Sequence, residues 1–154
     1  MIGLAKEDAR IRWSGVFKAE LRRGGRLVKS YEARNVVCNV LLSQLRNALI
    51  GSGSVSEYTH IAVGSGTTTP TRSDTALANE IARKVCDERL ISGTKVIYRV
   101  TFGSDEANGS INEVGVFDAA SGGNMLARAL FGETIEKTSD YILFVEYEVE
   151  ISYA

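Results

Sequence analysis

Apolar and polar residues alternate along most of this chain, and the alternation breaks only where glycine, serine and threonine cluster. Ile11, Trp13, Phe17, Ala19 and Leu21 share one parity, while Arg10, Arg12, Lys18, Glu20 and Arg22 share the other. That is the two-residue period of a half-buried strand. Gly24-Gly25 supplies a turn that tolerates positive φ, and residues 27–33 return as a second strand, giving an N-terminal hairpin over residues 11–34. Residues 1–10 have mixed charge and no period. They read as a frayed end, or as an arm that orders on a partner with Ile2 and Leu4 as its apolar anchors.

The period then changes. Val37, Leu41, Leu45 and Leu49 recur every four residues, with Val40 and Leu42 widening the stripe. This predicts one helix over residues 36–50, capped by Asn35 or Asn39, ended at Gly51 and packed on a sheet. Further strands are predicted at 58–63, 82–91, 94–103, 111–118, 125–131 and 141–153, with a hairpin turn at Ser92-Gly93 and a helical turn or two at 74–81. In the last strand Tyr141, Leu143, Val145, Tyr147, Val149, Ile151 and Tyr153 occupy one face, and Glu146, Glu148 and Glu150 stand on the other. The sum, about eight strands and one helix, predicts a mainly β fold: a single-domain antiparallel β-sandwich or distorted barrel over residues 11–154.

Composition narrows the function. The 154 residues are enough to bury a core without metals or disulfides. With 18 basic against 19 acidic residues the chain lacks the cationic excess of a general nucleic-acid binder, so no specific nucleic-acid partner is expected. The local exception is Arg10, Arg12, Lys18, Arg22, Arg23, Arg26 and Lys29 in the hairpin. Cys38 and Cys86 are far apart with no histidine nearby, which argues against zinc. Parity allows them a disulfide; the alternative is two small buried hydrophobes. The N-terminus has no long apolar region, and no run approaches the roughly 18 apolar residues of a membrane span. A soluble protein made in the cytoplasm is expected, with no membrane partner.

Each candidate for chemistry has a plainer reading. Gly64-Ser65-Gly66 follows a strand, as phosphate loops do, but Thr67-Thr68-Thr69-Pro70 replaces both the Gly-Lys-Ser/Thr ending and the third glycine. His60 is the one histidine and has no nucleophile in a recognisable elbow beside it. Asp105, Glu106 and Asp118 lack the carboxylate order of a calcium loop and read as turn residues. Glu146, Glu148 and Glu150 read as a solvated strand face, or as a row that meets the basic hairpin or another subunit. No catalytic residue, cofactor or metal is expected, and the chain reads as a binding protein rather than an enzyme.

The ordered motifs HIAVGSGTTTPTRSDTALANE, INEVGVFD and GGNMLARALFGETIEKTSD, preceded by NVVCNVLLSQLRNALIGSG, resemble a module of tailed-bacteriophage virion proteins. The likeness spans about residues 35–151; Gly115, Asp118, Gly122, Gly123 and Arg128 match its pattern, and Val116 stands where leucine is more usual. The module is found in capsid decoration (cementing) proteins and in the attachment or collar domains of tail fibres. The resemblance implies a structural virion protein that binds major capsid subunits as a homotrimer, or one that joins tail or baseplate proteins. A fibre chain should continue into a shaft, and this one stops soon after Ile151, so a decoration protein on the capsid surface is the leading expectation. A carbohydrate-binding surface module is a further alternative, since exposed Tyr and Trp on a sandwich read sugars. The expected contacts are Ile2 and Leu4, the arginines Arg10, Arg12, Arg22, Arg23 and Arg26, and the loop residues Thr67, Thr68, Thr69 and Asp105.

Overall fold

A computed structural model describes residues 10–153 and shows two five-stranded antiparallel sheets packed face to face with one helix. Ile2 and Leu4 lie outside the described residues. The first sheet is built from β1 (Ile11–Arg23), β2 (Arg26–Arg34), β6 (Glu88–Ser92), β7 (Lys95–Phe102) and β10 (Ile142–Tyr153), in the order β2-β1-β10-β7-β6. The second holds β3 (Val36–Val37), β4 (His60–Gly64), β5 (Glu80–Val85), β8 (Gly109–Phe117) and β9 (Met125–Lys137), in the order β3-β9-β8-β4-β5. Helix α1 (Asn39–Leu49) follows β3.

The alternation sets this architecture directly. Phe17, Ala19 and Leu21 of β1 pair in register with Tyr147, Val145 and Leu143 of β10, and all six side chains are buried. Facing them across the sandwich are Ile61, Val63, Val114, Val116, Ala127 and Ala129. Phe17 and Tyr147 stack with ring centroids 4.3 Å apart, and the Tyr147 hydroxyl accepts from the Asn35 side chain at 2.9 Å. The wet end of the buried tyrosine is thereby satisfied. At the hairpin tip Gly24 and Gly25 both take positive φ, +54° and +77°, as a tight two-residue turn demands.

Local details depart from the periodicity. There are ten strands rather than about eight among the described residues. The predicted helix over 36–50 begins only at Asn39: β-branched Val36 and Val37 instead pair with Arg128 and Ala127 of β9. Neither Asn35 nor Asn39 caps the helix. Cys38 stands at the cap with no side-chain bond, and Asn35 is held by Tyr147. Of the apolar stripe, Leu41 is buried, Leu45 is half-buried and Leu49 is exposed, so only the first turns press on the sandwich. The expected strand 82–91 is two strands. The chain leaves the second sheet at Val85 and joins the first at Glu88, passing the half-buried Cys86. Residues 74–79 form no helix, because their amides bond elsewhere, as described below.

Candidate functional site

The outer face of the second sheet is covered by its own chain. Between β4 and β5 the loop 65–79 folds back over β8 and β9, fastened by a buried carboxylate. Glu113 of β8 is fully buried, and its two oxygens accept from the backbone amides of Gly66 (3.0 Å), Ala78 (2.9 Å) and Asn79 (2.7 Å). The same carboxylate takes the Nε and an Nη of Arg128 at 3.0 and 2.8 Å. Arg128, itself buried, then reaches Asp74 at 3.0 Å and the Thr68 hydroxyl at 3.2 Å. Asp74 closes the loop on itself through the amide and hydroxyl of Thr71.

Gly64 and Gly66 have a steric reason. A Cβ on Gly66 would stand 2.5 Å from a Glu113 oxygen, and one on Gly64 would stand 2.6 Å from it. The loop does cradle an anion with backbone amides, as phosphate loops do, but the anion is a side chain of the same protein. Burial alone would push the Glu113 carboxyl up. The Asn79 and Ala78 amides, the Arg128 guanidinium and the Gly66 amide overrule it and hold it below the ordinary range. Asp74 is held low in the same way, by Thr71 and Arg128 against burial.

Leu77 completes the cover. It packs with Ala62, Phe117, Met125 and Cys38 in a second apolar cluster, and its Cδ2 lies 3.0 Å from where a Cβ on Gly115 would be. Beside it Arg83 lies over the Phe117 ring, 3.6 Å from the centroid, and donates to the carbonyls of Ala119 and Gly122. Asp118 accepts from the backbone and side chain of Asn124, so the turn between β8 and β9 is also pinned.

A second surface loop is fixed from within. Lys137 is buried, and its ammonium donates to the Gly103 carbonyl and the Asn108 side chain, each at 2.8 Å. Burial pushes its pKa down, while the charges of Glu106 and Asp105 work against that shift. Glu106 bonds Lys84 and the Gly103 amide. Within this loop Ala107 adopts φ +56°, the one positive φ of a non-glycine among the described residues, so the loop holds a conformation that alanine rarely takes.

Comparison with known families, curated proteins and solved structures finds no match. Asp74, Glu113 and Arg128 hold the cover in place, and Asp118 holds the turn beside it. Sequence reasoning gave Glu113 no role, since alternation with Val114 and Val116 assigns it to solvent. The available signal is Arg128: a single cation in the otherwise apolar run MLARALF, a strand apolar on both parities, points to a buried anionic partner.

The arginines of the N-terminal hairpin do not form one patch. Arg12 and Arg22 are ten residues apart on β1, a span of roughly 34 Å at strand rise. Arg10 and Arg12 lie at the end of the sandwich that carries the Gly93 turn. Arg22, Arg23 and Arg26 lie at the other, where Asp105 and its loop also sit. Between them the first sheet carries a row of alternating charge, registered strand by strand: Glu32, Lys18, Glu146, Arg99 and Glu88. Arg99 bonds Glu146 at 3.0 Å and Glu88 at 2.8 Å, while Glu148 is bracketed by Lys18 and Lys95. The glutamate row therefore meets cations on both neighbouring strands. Thr67, Thr68 and Thr69 are exposed on the opposite side of the sandwich, above the second sheet. One flat partner surface cannot take both sets.

Cys38 and Cys86 are both free thiols, and burial pushes each up to about 11. His60 is half-buried, its ring beside the Thr59 hydroxyl at 2.7 Å, and burial lowers its pKa. No group of three metal-ligating side chains occurs among the described residues.

Proposed function

We propose that this protein is a structural component of a tailed-phage virion, a capsid decoration protein that binds major capsid subunits as a homotrimer. The observation that carries the reading is where its two most elaborate buried polar devices act. Glu113–Arg128 and Lys137 each fasten a surface loop from beneath. A binding protein needs loops whose shape is set before the partner arrives, because ordering them on contact would weaken association. The motif resemblance supplies the virion context.

In this reading the first sheet, with arginines at both ends and a paired ladder between, lies towards acidic capsid surface, and the Thr67–Thr69 loop faces neighbouring subunits. Many modest contacts repeated over a symmetric shell add through avidity and stabilise the head without chemistry. The test is co-sedimentation of purified protein with expanded empty capsids, with cryo-electron microscopy of the virion. Saturable binding at a fixed ratio to capsid subunits supports the reading. Density confined to the tail would overturn it in favour of a tail or baseplate adaptor.

A further inference from the structure

The ladder of β1 is incomplete on one side. Strand β10 pairs with β1 from Ile11 to Arg22, whereas β2 covers β1 only from Val16 onward. The Gly15 carbonyl accepts from the Asn35 amide, so the peptide groups of Gly15 point away from β10. By the two-residue period those of Trp13 and Ile11 point the same way. Among the described residues nothing bonds to them there.

That open edge borders a groove of about 470 Å³ between β1 and the β3–α1 segment. Ile11, Trp13, Val37, Leu41 and Leu42 form its apolar lining, and Ile11 is 64% and Leu42 38% exposed. Arg34 and Arg72 flank it and make no ion pair among the described residues. Lone donors and acceptors at strand spacing, an apolar floor and a cationic rim each specify something about an occupant. Together they specify an extended backbone, alternate apolar side chains and carboxylates.

We propose that this groove binds an acidic, extended segment of a partner protein by strand addition to the Ile11–Trp13 edge, with its apolar side chains against Trp13 and Leu42 and its carboxylates on Arg34 and Arg72. Exposed strand edges take added strands in this manner, with backbone bonds giving affinity and side-chain pockets giving selectivity. The inference stands on the edge and the groove and does not depend on the virion reading.

Trp13 is the chain's one tryptophan, so fluorescence excited at the red edge of the absorption, where the six tyrosines do not absorb, reports on the groove. The experiment titrates the full chain with a hexapeptide alternating valine with glutamate, and separately with its valine–lysine counterpart. The glutamate peptide is expected to shift Trp13 emission saturably and to slow amide exchange at Trp13. The lysine peptide should bind about tenfold more weakly or not at all. Ile11→Pro removes one edge donor without touching the β10 ladder, and should weaken the glutamate peptide about fivefold, the worth of one backbone hydrogen bond. The proposal is overturned if neither peptide moves the emission, if both bind alike, or if Trp13 amide exchange is unchanged on binding. It is also overturned if emission responds only to protein concentration, which would make the occupant a second copy of this chain.

Discussion

Arg128 and Glu113 meet at 2.8 Å with side chains 2% and 0% exposed, and the pair ties a fifteen-residue surface loop, residues 65–79, to the sheet beneath it. Taking two charges out of water is costly, and the Coulomb attraction offsets this only when the remaining lone pairs and protons are also bonded. Here they are: no buried side-chain polar atom among the described residues lacks a partner.

Breaking the pair from either side should cost about 3–5 kcal/mol in urea unfolding. The two sides differ in what they release. Arg128→Met leaves Glu113 its three amide donors, so the loop stays seated. Glu113→Leu removes the shared acceptor of Gly66, Ala78 and Asn79. Amide exchange at those three positions should therefore rise far more in Glu113→Leu than in Arg128→Met. Equal exchange in the two variants would show that the carboxylate does not hold the loop.

The same carboxylate makes stability depend on acid. Its folded pKa lies below the ordinary value, so the folded state binds its proton less readily than the unfolded chain does. The contribution is fully present above the unfolded value of about 4.3 and is lost as pH falls through the lower folded one. Asp74 and Asp118 are shifted in the same direction and add to it. The urea midpoint should hold steady from pH 7 to about 5 and then fall. In Glu113→Gln the fall should be shallower.

Gly115 tests the cover by sterics instead of charge. Gly115→Ala places a methyl 3.0 Å from Leu77 Cδ2, which should cost about 1–3 kcal/mol by overpacking. Leu77→Ala alone leaves a cavity and should cost about 2–4 kcal/mol. The double variant should be less destabilised than the sum of the two, because each relieves the other. Strict additivity in thermal melts would place the clash on the Ala127 carbonyl or the Met125 sulfur, 3.1 and 3.2 Å from the same methyl, rather than on Leu77.

The strands of the sandwich were legible because burial on one face writes a two-residue period into the sequence: β1 and β10 follow their alternation almost residue by residue. Where a segment is governed by a distant partner, the local pattern misleads. Val37 belongs to a helical stripe by spacing and Val36 falls at the start of the helix predicted from it, yet both pair with β9. Residues 74–79 have helical propensity, yet two of their amides go to Glu113, far along the chain. The basic hairpin looked like one patch because sequence proximity conceals the length of an extended strand. Only the register shows its arginines at opposite ends.

If the protein binds a capsid as proposed, that separation sharpens which arginines meet it. Arg22 is occupied: it bonds Glu20 at 3.0 and 2.7 Å, and its guanidinium lies 5.3 Å from the centre of the Phe144 ring. Arg23 and Arg26, at the exposed tip, make no ion pair among the described residues. Reversing both, Arg23→Glu with Arg26→Glu, should weaken co-sedimentation with expanded capsids about tenfold or more, with the larger part of the loss in the association rate. Wild-type binding should also fall as salt rises from 50 to 200 mM, since exposed charges are screened within about 10 Å at 0.1 M. Arg22→Gln should leave capsid binding nearly unchanged. If the double reversal binds as the wild type does, the capsid contact lies away from the hairpin tip, and Arg10 and Arg12 at the other end of the first sheet become the residues to vary next.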